Sequence, residues 1–176
     1  MLHRPIEGDF PTYYQGYINL VPEGDLLTIL KENLTKTTLL FKSIPNSLVT
    51  YRYAPSKWSI KEVLGHISDT ERIMSYRLLR IGRGDDTALS GFDENLYVEG
   101  ASFDQLSMSS LLEDFTATRL ATLTLVKNMP EEAWNRKGFT NNGEIISRAI
   151  SYIIAGHELH HREIVRKKYL VDLGSY

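Results

Sequence analysis

The chain has 176 residues, with 20 basic and 22 acidic side chains and no cysteine. That length suits one domain, residues 1–176, with a single substantial core. The near balance of charge leaves no polyanion footprint, so nucleic acid is not an expected partner. The lack of cysteine excludes disulfides, thiolate metal ligands and a cysteine nucleophile, and it fits a reducing cytoplasm.

The opening, MLHRPIEGDFPTYY, places prolines and acids where a signal peptide needs an apolar run. No stretch approaches the ~20 apolar residues of a membrane helix. A soluble cytoplasmic protein is expected, its core spanning about 23–171, with His3 in a polar segment and given no role. The first helical pattern runs from about Glu23 to Ile44, carries Leu27, Leu30, Leu34 and Phe41 on one side, and stops at Pro45. The second opens at a capping box, Ser59-Ile60-Lys61-Glu62, and continues through Val63, Ile67, Met74, Leu78 and Ile81 to Gly82. RGDDTALSGFDENLYVEGASFDQ then reads as a loop of roughly twenty residues, a length that is usually functional or mobile. The third helix starts near Ser107 or Met108 and closes at Met129-Pro130, and PEEAW reads as a short helical turn. GFTNNGE reads as a polar turn. The fourth helix is placed from about Glu144 to Leu170. No convincing set of strands appears. The expected fold class is all-α, a four-helix bundle with a long connection between helices 2 and 3.

The most informative residues are histidines. His157 and His161 stand at i and i+4, on one face of the fourth helix, in a stripe with Ile146, Ile150, Ile153 and Ile164. His66 lies on the amphipathic second helix. Imidazole is the commonest metal ligand, and a bound cation would offset the burial of polar rings. Three imidazoles from two helices form a candidate metal site with one coordination position left open, the catalytic form of such sites. His160 falls at the edge of the stripe and is read as flanking the site.

HELHH at 157–161 also matches the HExxH pattern of zinc peptidases, in which the glutamate is the base. That reading is disfavoured. Few residues follow His161, strands to hold a peptide are missing, and His66 supplies a third ligand from upstream. Glu158 points about 100° away from the ligand face and is expected to be a solvated surface acid. Trp58 either packs at the bundle end or lines a pocket mouth. Arg119 either pairs with Glu71 between helices, which adds little net stability, or receives a substrate carboxylate near the metal. Phe92, Leu96 and Tyr97 make the 84–106 segment a cover for one bundle end, either a wall of the metal pocket with Tyr97 its leading contributor or a hydrophobic lid far from the metal.

WSIKEVLGHISDTER at 58–72, GFDENLYV at 91–98, the F-x-x-x-R-x-x-x-L of 115–123 and HELHH at 157–161 together resemble the DinB/YfiT-like superfamily, the DinB-like subgroup in particular. The resemblance runs from about residue 25 to 170. It implies a four-helix bundle whose three histidines, here His66, His157 and His161, bind a divalent metal, zinc or nickel. Characterised members of that superfamily include transferases that use a low-molecular-weight thiol and an isomerase of maleylpyruvate, and many members are described as metal-dependent hydrolases. The resemblance therefore implies a thiol-dependent S-transferase or a hydrolase acting on a small-molecule substrate, and it implies a homodimer. A non-catalytic, metal-stabilised binding module is the alternative.

Overall fold

In the computed structural model, which describes residues 3–140 and 143–170, the chain is a four-helix bundle with short additions at its ends. The bundle helices are α2 (Leu26–Ser43), α3 (Ile60–Gly82), α5 (Met108–Lys127) and α6 (Ser147–Ile164). Two short helices complete the set, α1 (Gln15–Leu20) before the bundle and α4 (Glu94–Ala101) between α3 and α5. The helix starts follow local chemistry. Asp25 accepts from the Thr28 amide, and Ser107 accepts from that of Ser110. The capping box at Ser59 forms in full, with Glu62 reaching back to the Ser59 amide.

The bundle interior is two apolar clusters stacked along its axis. One gathers Leu26 and Leu30 of α2, Met74 and Leu78 of α3, Leu123 and Val126 of α5, and Ile150 and Ile153 of α6. The other gathers Phe41 of α2, Ile60 and Leu64 of α3, Leu111 and Phe115 of α5, and Val165 just past α6. Both α3 and α5 begin in the second cluster and finish in the first, so they run in the same direction. The chain between them must return along the bundle, which is why this connection is long. Between the two clusters every bundle helix turns polar residues inward: Asn33 and Thr37, His66 and Glu71, Thr118 and Arg119, His157, Glu158 and His161 are all buried.

Four local expectations change. The segment between α3 and α5 is not a plain loop, because Asp93 caps α4 by accepting from the Asn95 and Leu96 amides. Residues 12–20, outside the expected core, form a 3-10 turn (Thr12–Tyr14) and α1, which packs on α6. Gly156 permits this approach, since a methyl group there would overlap the Tyr17 carbonyl. The strands β1 (Lys137–Thr140) and β2 (Gly143–Ile146) pair as an antiparallel hairpin; of the turn expected there, Asn141 and Asn142 lie outside the described residues. Consequently α6 begins at Ser147 rather than near Glu144, and Ile146 belongs to β2. Past Ile164, a π-helical turn over Val165–Tyr169 ends the bundle. No helix among the described residues is long and apolar enough to cross a membrane.

Candidate metal centre

His157 and His161 lie one turn apart on α6, and His66 faces them from α3. Their donor nitrogens all lie within 4.8 Å of one another, and all three rings are buried. The Nε2 atoms of His66 and His157 are 3.0 Å apart. Donors about 2.0–2.1 Å from a tetrahedral zinc sit roughly 3.3 Å apart, so the spacing suits a small divalent ion. The ring nitrogen Nδ1 of His66 meets Thr70 Oγ1 at 3.5 Å, on the side away from His157. A proton on Nδ1 leaves the Nε2 lone pair aimed inward, the outer-shell arrangement common at metal-bound histidines.

Electrostatics favour the ligand form of each ring. Burial, helped by His160, pushes His66 down to about 4. Burial lowers His157 and His161 well below the ordinary imidazole value, with the neighbouring histidines adding to it. All three are therefore neutral at pH 7, the state in which imidazole binds metal. A donor set of three neutral nitrogens fits a divalent ion such as zinc or nickel.

The triad forms one wall of a cavity of about 340 Å³. Tyr13, Tyr14 and Tyr17 close it from the N-terminal segment, and Trp58 from the turn before α3. Thr70, Met74 and Arg77 line it along α3, Phe92 and Glu94 come from the α3–α5 connection, and Ile153 comes from α6. The Tyr17 ring packs edge-on against His157 at 5.4 Å and against His160 at 5.3 Å, so His160 flanks the triad. Trp58 lies 4.5 Å from His66 between ring centres, while its carbonyl accepts from the Tyr169 hydroxyl at 2.6 Å. It thus packs at the bundle end and lines the cavity as well.

Tyr97, Arg119 and Glu158 stand outside this cavity, Arg119 in the interhelical pair with Glu71 that was one of its two expected roles. Tyr97 is 48% exposed and lies outside this cavity; its ring meets that of Phe92 at a tilt and borders a separate hollow beside Tyr76 and Arg80. On α4 its side chain faces out, and its neighbours Phe92 and Glu94 supply the wall instead. Arg119 also lies outside the cavity: it is fully buried and grips Glu71 through both carboxylate oxygens at 2.7 Å. Glu158 is the clearest correction. It is not a solvated acid but 0% exposed, with Oε2 2.6 Å from Arg119 Nη2. Burial raises its pKa, and Arg119 works against that rise. A helix surrounded on three sides has no free flank, so the 100° turn away from the ligands leads into the core rather than to water. Because Glu158 faces Arg119 and not the cavity, it does not stand where the base of an HExxH peptidase must stand. The reading from sequence missed the 3-10 turn and α1 with their tyrosines, although Tyr13, Tyr14 and Tyr17 already have helical spacing.

Comparison with solved structures gives the same fold. YfiT from Bacillus subtilis, described as a probable metal-dependent hydrolase with an unusual four-helix bundle topology, superposes with a TM-score of 0.69 at 15% identity, over 94% of this chain and 93% of its own. A DinB-like protein from Bacillus subtilis gives 0.62 at 18% identity, over 87% and 94%. The mycothiol-dependent maleylpyruvate isomerase gives 0.63 at 13% identity, and the match covers 78% of this chain but only 58% of the isomerase. No curated protein matches the chain by sequence. The family model of the DinB superfamily matches residues 29–165, most of the chain and all three histidines, and the chain therefore belongs to the DinB superfamily.

Proposed function

We propose that this chain is a metal-dependent enzyme in which His66, His157 and His161 hold a divalent ion, zinc or nickel, and that it acts on a small molecule by thiol-dependent transfer or by hydrolysis. The observation that carries this reading is the convergence of three buried, neutral imidazoles on the wall of a cavity sized for a small ligand. When bound, the metal supplies Lewis acidity that favours the anionic form of a water or thiol near neutral pH.

The chain's own residues do the rest. Thr70 orients His66 through Nδ1, and Tyr17 packs against His157 and restricts water on that side. Burial pushes the Tyr17 hydroxyl up to about 12, with Tyr13 adding to the rise, so it stays a hydrogen-bond donor across the working pH range. Trp58, Phe92 and Met74 give the cavity apolar walls for the body of a substrate. The protein holds no cysteine, so a thiol nucleophile must arrive as a diffusible cosubstrate. The name of one structural neighbour, a mycothiol-dependent isomerase, supports the thiol arm; that of YfiT supports the hydrolytic one.

The test combines elemental analysis with turnover. Native protein and His157→Ala are assayed on 1-chloro-2,4-dinitrobenzene with and without glutathione, and on nitrophenyl esters without thiol. Metal-dependent turnover in native protein that disappears in the variant supports an enzyme, and the thiol requirement chooses between the two chemistries. Native protein that takes up metal but turns over none of these probes would favour a non-catalytic binding module. Native protein that takes up no divalent metal would overturn the site.

A further inference from the structure

The bundle contains a second buried polar cluster that the proposed chemistry does not use. Arg119 of α5 donates through Nε and Nη2 to the two carboxylate oxygens of Glu71 on α3, each at 2.7 Å. Its Nη1 donates to the Leu30 carbonyl of α2 at 3.0 Å, and its Nη2 lies 2.6 Å from Glu158 Oε2 on α6. One guanidinium thus touches the three other bundle helices. Two of these, α3 and α6, carry the histidines. Glu71 follows His66 by five residues, and Glu158 follows His157 directly.

The same arrangement recurs one turn later on α6. Arg162, directly after His161, donates to Asn33 Oδ1 at 3.4 Å and to Thr37 Oγ1 at 3.2 Å on α2. Each of the two triad histidines of α6, His157 and His161, is therefore followed by a charged residue anchored to another helix. Successive residues on a helix are 100° apart, so fixing the 158/162 face fixes the rotation of the 157/161 face.

Stability alone does not explain four buried charges. Apolar residues of similar volume usually stabilise a core as well as a buried ion pair or better. Apolar contact is non-directional, however, and permits small rotations and slides of one helix on another. A two-oxygen grip on Glu71 has one geometry.

We propose that Arg119 is a positioning residue for the histidine site: through Glu71 and Glu158 it locks α3 and α6 in the register at which His66, His157 and His161 converge. The proposal rests on the metal-site reading above, and its test is built to fail separately from that reading. The main variant replaces the whole cluster, Glu71→Met, Arg119→Leu and Glu158→Met together, so that neither carboxylate loses its guanidinium while staying buried. A second variant, Arg119→Lys, keeps the charge and loses the two-oxygen grip, and it carries the test if the triple variant does not fold.

Cobalt(II) titration reads affinity, and the cobalt d–d absorption bands read coordination geometry. Either variant should fold yet bind cobalt about 10- to 100-fold more weakly, the range seen for outer-shell partners of metal ligands, with shifted bands. A folded variant with native affinity and native bands would overturn the proposal. If the native protein itself takes up no cobalt, the metal-site reading fails, and imidazole ¹⁵N shifts in metal-free protein then decide. Altered His66 and His157 shifts in the variant support positioning by Arg119, and unchanged shifts overturn it.

Discussion

The polar layer that crosses the middle of this bundle has an open half and a closed half, and α6 supplies alternate residues to both. His157 and His161 face the cavity, whereas Glu158 and Arg162 turn into the interior. The open half is made of neutral rings with donor nitrogens aimed at a shared point. The closed half is built on Arg119, which meets Glu71 and Glu158, and on Arg162, which donates to Asn33 and Thr37. Burial acts on both, but with different results. It lowers the histidines' pKa values and so keeps them ligands. Burial would also lower that of Arg119, but Glu158 and Glu71 outweigh it and hold the guanidinium charged. Burial thus keeps the triad histidines neutral at the cavity, while counter-charges keep Arg119 charged in the interior.

The largest effect should come from opening the closed half. Arg119→Ala strands Glu71 and Glu158 in the core, and a loss of about 3–5 kcal/mol is expected, read by urea denaturation. A loss under about 1 kcal/mol would mean that water or another group reaches the two carboxylates. The matching break in the open half is His161→Ala. It should weaken zinc binding by at least about 100-fold, which is about 2.7 kcal/mol, in calorimetric titration, while the helical circular dichroism stays native. Retained affinity would show that two histidines suffice.

The wall that joins the N-terminal segment to the open half is tested by Gly156→Ala. Overlap with the Tyr17 carbonyl should cost about 1–3 kcal/mol and push α1 off α6, exposing Tyr17 and His157 to faster deuterium exchange in the surrounding backbone. An unchanged exchange pattern would refute the close approach.

Acid sharpens the contrast more gently. An unfolded histidine titrates near 6.5, and burial holds His66 at about 4 in the folded, metal-free protein. Between these values the unfolded chain binds the extra proton. The contribution is therefore fully present above about pH 6.5, falls away as pH drops, and is lost once pH passes about 4. Denaturation midpoints of metal-free protein at pH 7.5, 6 and 5 should decline in that order, and a flat profile would contradict burial of neutral rings. The smallest effect belongs to Tyr97→Ala. Its exposed ring lies outside both halves of the layer, so stability should change by less than about 0.5 kcal/mol and zinc affinity not at all.

Much of this design is written in local pattern. The capping box at Ser59 marks the start of α3, and the i, i+4 pair on an isoleucine stripe marks the ligand face of α6. Asp93-Glu94 was an equally local signal for α4, a helix that the composition of a long loop concealed. Other features have no local signal. The hairpin of β1 and β2 sits among helices because the Ile146 amide donates to the Asp9 carbonyl and Leu89 donates to Phe139, contacts between distant segments. Glu158 reads as a surface acid in any isolated helical projection.

What the amino-acid sequence determined by itself is what depends on residues a few positions apart: four amphipathic helices, the capping box that starts α3, and two histidines on one face. Those properties follow from helical periodicity and from hydrogen bonds within a turn. The tertiary structure alone decided which polar faces meet. His66 reaches His157 across 91 positions, Arg119 reaches Glu71 across 48, and Arg162 reaches Asn33 across 129. The physical reason is that burial is a property of the packed bundle and not of a helix. The same glutamate is a solvated charge on a free helix and half of an ion pair once three neighbours close around it.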